Sequence, residues 1–177
     1  MITLTGFLRG INVGGHHKVP MAALRDKLHE IGCNNVRTLL NSGNFVFETK
    51  QTGIQTLEQK IEKSISSHFG FSIPVILRTR KEICDLVDEN LFEPVNLHKD
   101  IRLYVSFLKE APKLQPTVPY ISEDKAFQII SIRDKTILSA LDLSVTSTPK
   151  GMDDLEKLFG KNITTRNWNT IRRIVDI

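Results

Sequence analysis

Apolar residues recur along this chain in two rhythms, and the changes between them mark out the elements. Residues 2–9, Ile-Thr-Leu-Thr-Gly-Phe-Leu-Arg, read as a strand. A glycine-rich loop follows from Gly10 to Lys18. Pro20 then opens a helix in which Met21, Leu24, Leu28 and Ile31 fall three, four and three apart, the spacing of one helical face. Gly32 is the expected stop. Val36 to Leu40 and Phe45 to Thr49 read as two strands joined by the turn formers Asn41-Ser42-Gly43-Asn44. A second helix carries Ile54, Leu57, Ile61 and Ile65 on one stripe and closes at Gly70, and Ile73 to Leu77 is a further strand.

This order, strand-helix-strand-strand-helix-strand, predicts a ferredoxin-like unit. Lys81 to Phe92 reads as one more helix, and residues 93–100 as a linker. Beyond the linker the pattern predicts a strand at Ile101–Leu108, a Pro-rich connection, and a hairpin. The hairpin arms are Ala126–Ile132 and Thr136–Leu141, around Arg133-Asp134-Lys135. A short helix near Asp153–Phe159 ends at Gly160, and a last helix starts at Thr164 or Thr165 and stacks Trp168, Ile171 and Val175. The expectation is an α+β protein of two packed ferredoxin-like halves, 1–92 and 101–177, the second shorter and incomplete. Phe45-Val46-Phe47 and Val75-Ile76-Leu77 are apolar without alternation, so both faces of those strands should be buried, the second half covering the face that the helices leave.

At 177 residues, 40% hydrophobic and 25% charged, the chain has the composition of a globular protein rather than a disordered one. The two cysteines, Cys33 and Cys84, are too few for a four-thiolate metal site or a disulfide framework, and read as packing residues. The opening Met1-Ile2-Thr3-Leu4-Thr5 lacks the basic and apolar regions of a signal peptide, and no run reaches the length of a membrane span. The cytoplasm is the expected location. A net charge of +4 suits contact with phosphates but does not require it.

Chemistry is concentrated in three polar stretches. The first is Arg9-Gly10-Ile11-Asn12-Val13-Gly14-Gly15-His16-His17-Lys18, between a strand and a helix start, where free N–H groups and flanking cations favour an anion. Gly10 and Gly15 have Walker A spacing, but His16-His17 stand where Lys and Ser/Thr belong, and G-x-G-x-x-G is absent, which argues against Walker-type hydrolysis. Glycines that merely turn the chain explain the loop equally well. His16 and His17 lack further ligands at metal spacing, so no metal or other cofactor is expected. The second stretch is the Asn41-Ser42-Gly43-Asn44 turn, whose Asn41 and Asn44 amides suit either a turn or a polar ligand. The third is Thr164-Thr165-Arg166-Asn167-Trp168-Asn169-Thr170. Here Trp168 fits the buried stripe, while Arg166, Asn167 and Asn169 suit a phosphate or carboxylate at a helix start. No carboxylate pair and no G-x-S-x-G serine offers a catalytic group.

Leu8-Arg9-Gly10-Ile11-Asn12-Val13-Gly14-Gly15, Lys18-Val19-Pro20-Met21, Asn41-Ser42-Gly43-Asn44 and Thr165-Arg166-Asn167-Trp168-Asn169-Thr170 together resemble the bacterial DUF1697 family, a domain of unknown function. The resemblance implies a cytoplasmic α+β protein of ferredoxin-like halves, and no settled activity. The Gly-x-Ser-Lys-Leu-like stretch usual before the last two helices is replaced here by Ser147-Thr148-Pro149-Lys150-Gly151-Met152.

The leading expectation is a cleft between the halves that binds a small anionic molecule, a nucleotide or phosphorylated metabolite. Its candidate residues are Arg9, Gly10, Asn12, Gly14, Gly15, Lys18, Asn41, Asn44, Arg166, Asn167 and Asn169. The alternatives are a module binding RNA or single-stranded nucleic acid, with Phe45 and Phe47 at the stacking positions of an open sheet, and an adaptor or oligomeric protein without catalysis.

Overall fold

The computed structural model describes residues 1–112 and 116–177. It is a mixed α+β structure. Its described elements run β1 (Ile2–Leu8), α1 (Met21–Glu30), β2 (Asn34–Leu39), β3 (Asn44–Thr49), α2 (Ile54–Phe69), β4 (Val75–Thr79), α3 (Arg80–Asp88), β5 (Ile101–Leu108), β6 (Tyr120–Ile121), β7 (Phe127–Arg133), β8 (Thr136–Asp142), α4 (Thr148–Phe159), β9 (Ile163–Asn167) and α5 (Trp168–Val175). By its contacts the chain divides into Met1–Asp85 with Ile174–Ile177, and Leu86–Arg173. The division runs through α3, upstream of the 93–100 segment.

In the first unit β1 is central, with the four strands ordered β2-β3-β1-β4 and every pairing antiparallel. Helix α1 forms where the apolar spacing placed it, burying Leu24 and Leu28. It ends in a Schellman arrangement: Gly32 takes a positive φ of 97°, its N–H donates to the His29 carbonyl, and the Cys33 N–H donates to the Leu28 carbonyl at 3.0 Å. Helix α2 buries Leu57, Ile61 and Ile65 and stops at left-handed Gly70. These two helices and the strands share one core, containing Leu4, Leu8, Phe45, Phe47, Val75 and Leu77. Val46 and Ile76, on the opposite sheet face, are buried as well, as the unbroken apolar runs require. Cys33 lies in this core, where burial pushes its thiol up to about 11 and leaves it protonated at neutral pH.

The second unit is a five-stranded antiparallel sheet ordered β6-β7-β8-β5-β9, over a core of Leu108, Phe127, Ile129, Ile137, Leu141, Leu155 and Ile163. The order β7-β8-β5-β9 repeats β2-β3-β1-β4: a hairpin, then the unit's first long strand, then a closing strand followed at once by a helix. Part of the predicted Pro-rich connection lies outside the described residues.

Three boundaries differ by three residues or more from the expected ones, and one short strand was not expected. The helix expected over Lys81–Phe92 ends at Asp88, and a series of turns follows. Helix α4 starts at Thr148 rather than near Asp153, because Pro149 sits in the first turn, where a missing N–H costs nothing. Gly151 lets this helix approach the sheet: a Cβ there would lie 2.6 Å from Leu141 Cδ1. The two-residue strand β6 carried too little pattern to be read. The last helix starts at Trp168, not at Thr164 or Thr165. Those threonines are β-branched and pair with β5, Thr164 opposite Phe107 and Thr165 opposite Ser106.

Candidate functional site

The loop from Gly10 to Lys18 is a miniature hairpin. Val13 and His16 form an isolated antiparallel bridge, with the His16 N–H donating to the Val13 carbonyl at 3.1 Å. The two central residues, Gly14 and Gly15, have φ of 60° and 79°, the positive pair of a type I′ turn. At the base of this hairpin the Asn12 N–H donates to the His17 carbonyl at 3.0 Å. His17 stacks on Phe71, ring centres 4.5 Å apart, and its Nδ1 lies 3.2 Å from the Gly10 carbonyl. The loop is therefore pinned at both ends.

Asn12 is the clamp. It is left-handed, with φ of 55°, and its amide makes three bonds. Nδ2 donates to the Val19 carbonyl at 3.0 Å and to the Asn41 carbonyl at 2.7 Å, and Oδ1 accepts the Val19 N–H at 2.8 Å. The loop is thereby tied to the start of α1 and to the β2–β3 turn. The same turn is held from β1, whose Leu8 N–H donates to the Gly43 carbonyl at 2.9 Å. A Cβ on Gly43 would lie 2.7 Å from Leu8 Cβ and 2.8 Å from Ile11 Cδ1.

Between these pieces lies a shallow depression of about 370 Å³, bounded by Asn12, Gly15, Lys18, Val19, Pro20 and Asn41. Helix α1 begins at its margin. No side chain caps that helix, and no acidic residue occupies its first turn. The first-turn N–H groups lack intrahelical acceptors, so the helix presents partial positive charge there, beside exposed Lys18.

Loop, helix start and Asn41 come together within the first unit. Arg9 is half-buried at the loop entrance, its N–H donating to the Pro74 carbonyl at 3.0 Å. Gly10, with φ of 71°, turns the chain out of β1. Asn44 faces inward: it is fully buried, and its Nδ2 donates to the Leu39 carbonyl and to Ser42 Oγ, both at 2.9 Å. Val19 and Pro20 complete the depression. Both lie in the Lys18-Val19-Pro20-Met21 motif, but nothing in their types marks them as lining residues.

Arg166, Asn167 and Asn169 belong to the second unit. Arg166 is buried on β9, where its Nη1 donates to Thr164 Oγ1 at 2.8 Å and to the Thr165 carbonyl at 2.9 Å. Burial pushes its guanidinium down to about 10, still charged at neutral pH. Asn167 caps α5, its Oδ1 accepting the Asn169 N–H at 2.9 Å, and Asn169 is exposed. The first unit has the same junction. Arg78 is buried one residue before the end of β4, its Nη1 donates to the preceding carbonyl at 2.8 Å, and Thr79 exchanges bonds with Glu82 at the start of α3. Replacing Asn167 with alanine should remove the cap and lower stability by about 1 kcal/mol in denaturant unfolding; a larger loss would point to a further bond.

The departing stretch at Ser147–Met152 places Lys150 against Asp124 at 2.9 Å. Hydrogen bonds from Ser122, Lys150 and the Ala126 N–H hold the Asp124 carboxyl well below the usual carboxylate range. Among the described residues no group of three His, Cys, Asp or Glu is placed to hold a metal ion, and no helix is long and apolar enough to cross a membrane.

No curated protein matches the chain. Among solved structures, conserved bacterial protein SP0830 from Streptococcus pneumoniae is similar, with a TM-score of 0.73 and 24% identity over 99% of this chain and 97% of that one. At that identity the likeness establishes a shared fold. The family described as "Protein of unknown function (DUF1697)" matches residues 1–137, which takes in the Gly10–Lys18 loop and the Asn41 turn and stops short of Thr165–Thr170. The chain belongs to the DUF1697 family.

Proposed function

We propose that the first unit binds a small molecule bearing a phosphate or carboxylate, in the depression between the Gly14–Gly15 turn, the start of α1 and Asn41. The observation that carries this reading is the α1 N-terminus, which has neither a side-chain cap nor a first-turn acid and opens beside Lys18. The loop geometry supports it, because Asn12 fixes the turn, the helix start and Asn41 in one arrangement before any ligand arrives. In this reading Lys18 supplies charge, the backbone at Gly15 and the first turn of α1 supply N–H donors, and Arg9, Gly10 and Gly14 shape the approach. Asn44, Arg166, Asn167 and Asn169 are left out, since Asn44 and Arg166 are buried in local bonds, Asn167 caps a helix, and Asn169 sits beside that cap.

A module that stacks bases on its sheet is less well supported. Phe45 and Phe47 are fully buried in the core of the first unit, with ring centres 5.7 Å apart, and cannot offer their faces to a nucleotide. We also read both units as ferredoxin-like, on the repeated strand order, and the chain as cytoplasmic.

A thermal-shift series with phosphate, pyrophosphate, nucleotides and sugar phosphates tests the reading at constant ionic strength. A ligand at one hundred times its Kd stabilises by about 2.7 kcal/mol, a shift of several degrees for a chain of this size. Lys18→Ala should weaken the best ligand by roughly two- to fivefold, the size of an exposed charge at a helix terminus. An equal shift in wild type and Lys18→Glu would count against this location.

A further inference from the structure

Strand β4 is an edge of its sheet, yet its outward row of N–H groups is occupied. Among the described residues it pairs with β1 alone, so every second residue turns its N–H away from the sheet. From Ile73 to Thr79 those donors all meet side-chain oxygens. Ser66 Oγ accepts the Ile73 N–H at 2.9 Å, Glu62 Oε2 the Val75 N–H at 3.0 Å, and Glu58 Oε2 the Leu77 N–H at 2.9 Å. Glu82 Oε2 accepts the Thr79 N–H at 2.7 Å.

Three of these acceptors stand four residues apart on α2, which runs antiparallel to the strand. The match is geometric. Four helical residues rise about 6.0 Å and two strand residues about 6.6 Å, so each step along the helix keeps pace with one step between outward N–H groups. Glu58 is itself buried, with 6% of its surface exposed, so this is no loose surface ion pair.

We infer that the Glu58-Glu62-Ser66 stripe is a lock that closes the β4 edge against strand pairing with a second copy of the chain. An open edge presents unpaired N–H and C=O groups and recruits further strands. Here a competing strand must displace two carboxylates that already hold the donors, and must leave their charge beside its own backbone. The inference stands independently of the anion site, which is formed by the start of α1 and its preceding loop.

The test combines amide hydrogen exchange with sedimentation velocity over a concentration series. In the wild-type chain the Val75 and Leu77 amides should be protected despite their edge position. Glu62→Ala should speed Val75 exchange by at least about tenfold while leaving Thr5 and Phe7 of β1 unchanged. Glu62→Ala and Glu58→Ala/Glu62→Ala should also self-associate with rising concentration, and Val75 protection should return as they do. Glu58→Gln/Glu62→Gln keeps an acceptor oxygen at each place and should sediment as wild type. Free exchange of Val75 in the wild-type chain overturns the inference. So does a Glu62→Ala chain with Val75 exposed and unchanged sedimentation at every concentration, and that single variant decides the matter if the double variant does not fold.

Discussion

Gly6→Ala is expected to destabilise the chain by about 3 kcal/mol, the upper part of the range for overfilling a packed core. Gly6 sits in the middle of β1, directly opposite Phe45 on β3. An ideal Cβ at Gly6 would lie 2.1 Å from Phe45 Cζ and 2.5 Å from both Cε atoms, so the ring fills the space a side chain would need. Phe45 is fully buried among Leu4, Leu8 and Phe47 and cannot swing away without opening the core. For a chain of this size the loss corresponds to a fall in Tm of about 6–12 °C. The companion measurement is a double-mutant cycle with Phe45→Leu. The double variant should be more stable than the sum of the single losses predicts, by more than about 1 kcal/mol, because the shorter side chain vacates the Cβ position. Additive losses would show that the ring is not the obstacle.

Asn12→Ala carries the second large effect, on stability and on the proposed site together. The substitution removes the bonds to Val19 and Asn41 and leaves the buried Val19 without its side-chain acceptor. It also puts alanine at a φ of 55°, a left-handed conformation that disfavours a Cβ by roughly 1–2 kcal/mol. Together with an unsatisfied N–H, the expected loss is about 2–4 kcal/mol. Asn12→Gly separates the two terms, since glycine takes the left-handed backbone freely but restores no hydrogen bond. It should recover the backbone part of the stability and none of the anion binding. Full binding by Asn12→Gly would mean that the clamp does not organise the depression.

How far the sequence could be read depended on whether a feature was local. Helices α1 and α2 were legible because their apolar spacing and their glycine stops at Gly32 and Gly70 lie within the elements themselves. Strand β5 was legible for the same reason. At Thr164-Thr165-Arg166-Asn167 the local signal misled: threonines before a polar run look like a helix cap, and pairing with β5 takes them into the sheet instead. The cap is Asn167, three residues later than Thr164. Asn12 and Asn41 each stood among the candidate residues, but their contact spans 29 positions, and no spacing rule shows that Asn12 holds the Asn41 backbone. The α2 lock was written as polar residues at regular spacing, which reads as an ordinary solvent face until the strand beside it is known.

Residue-resolved NMR titration with pyrophosphate at constant ionic strength would show whether the depression beside the start of α1 takes up an anion. Saturable amide shifts are expected, confined to Gly14–Ala23 and Asn41, weakened in Lys18→Ala and absent in Asn12→Ala. Shifts centred on the second unit, or linear shifts spread over every exposed cation, would contradict binding there.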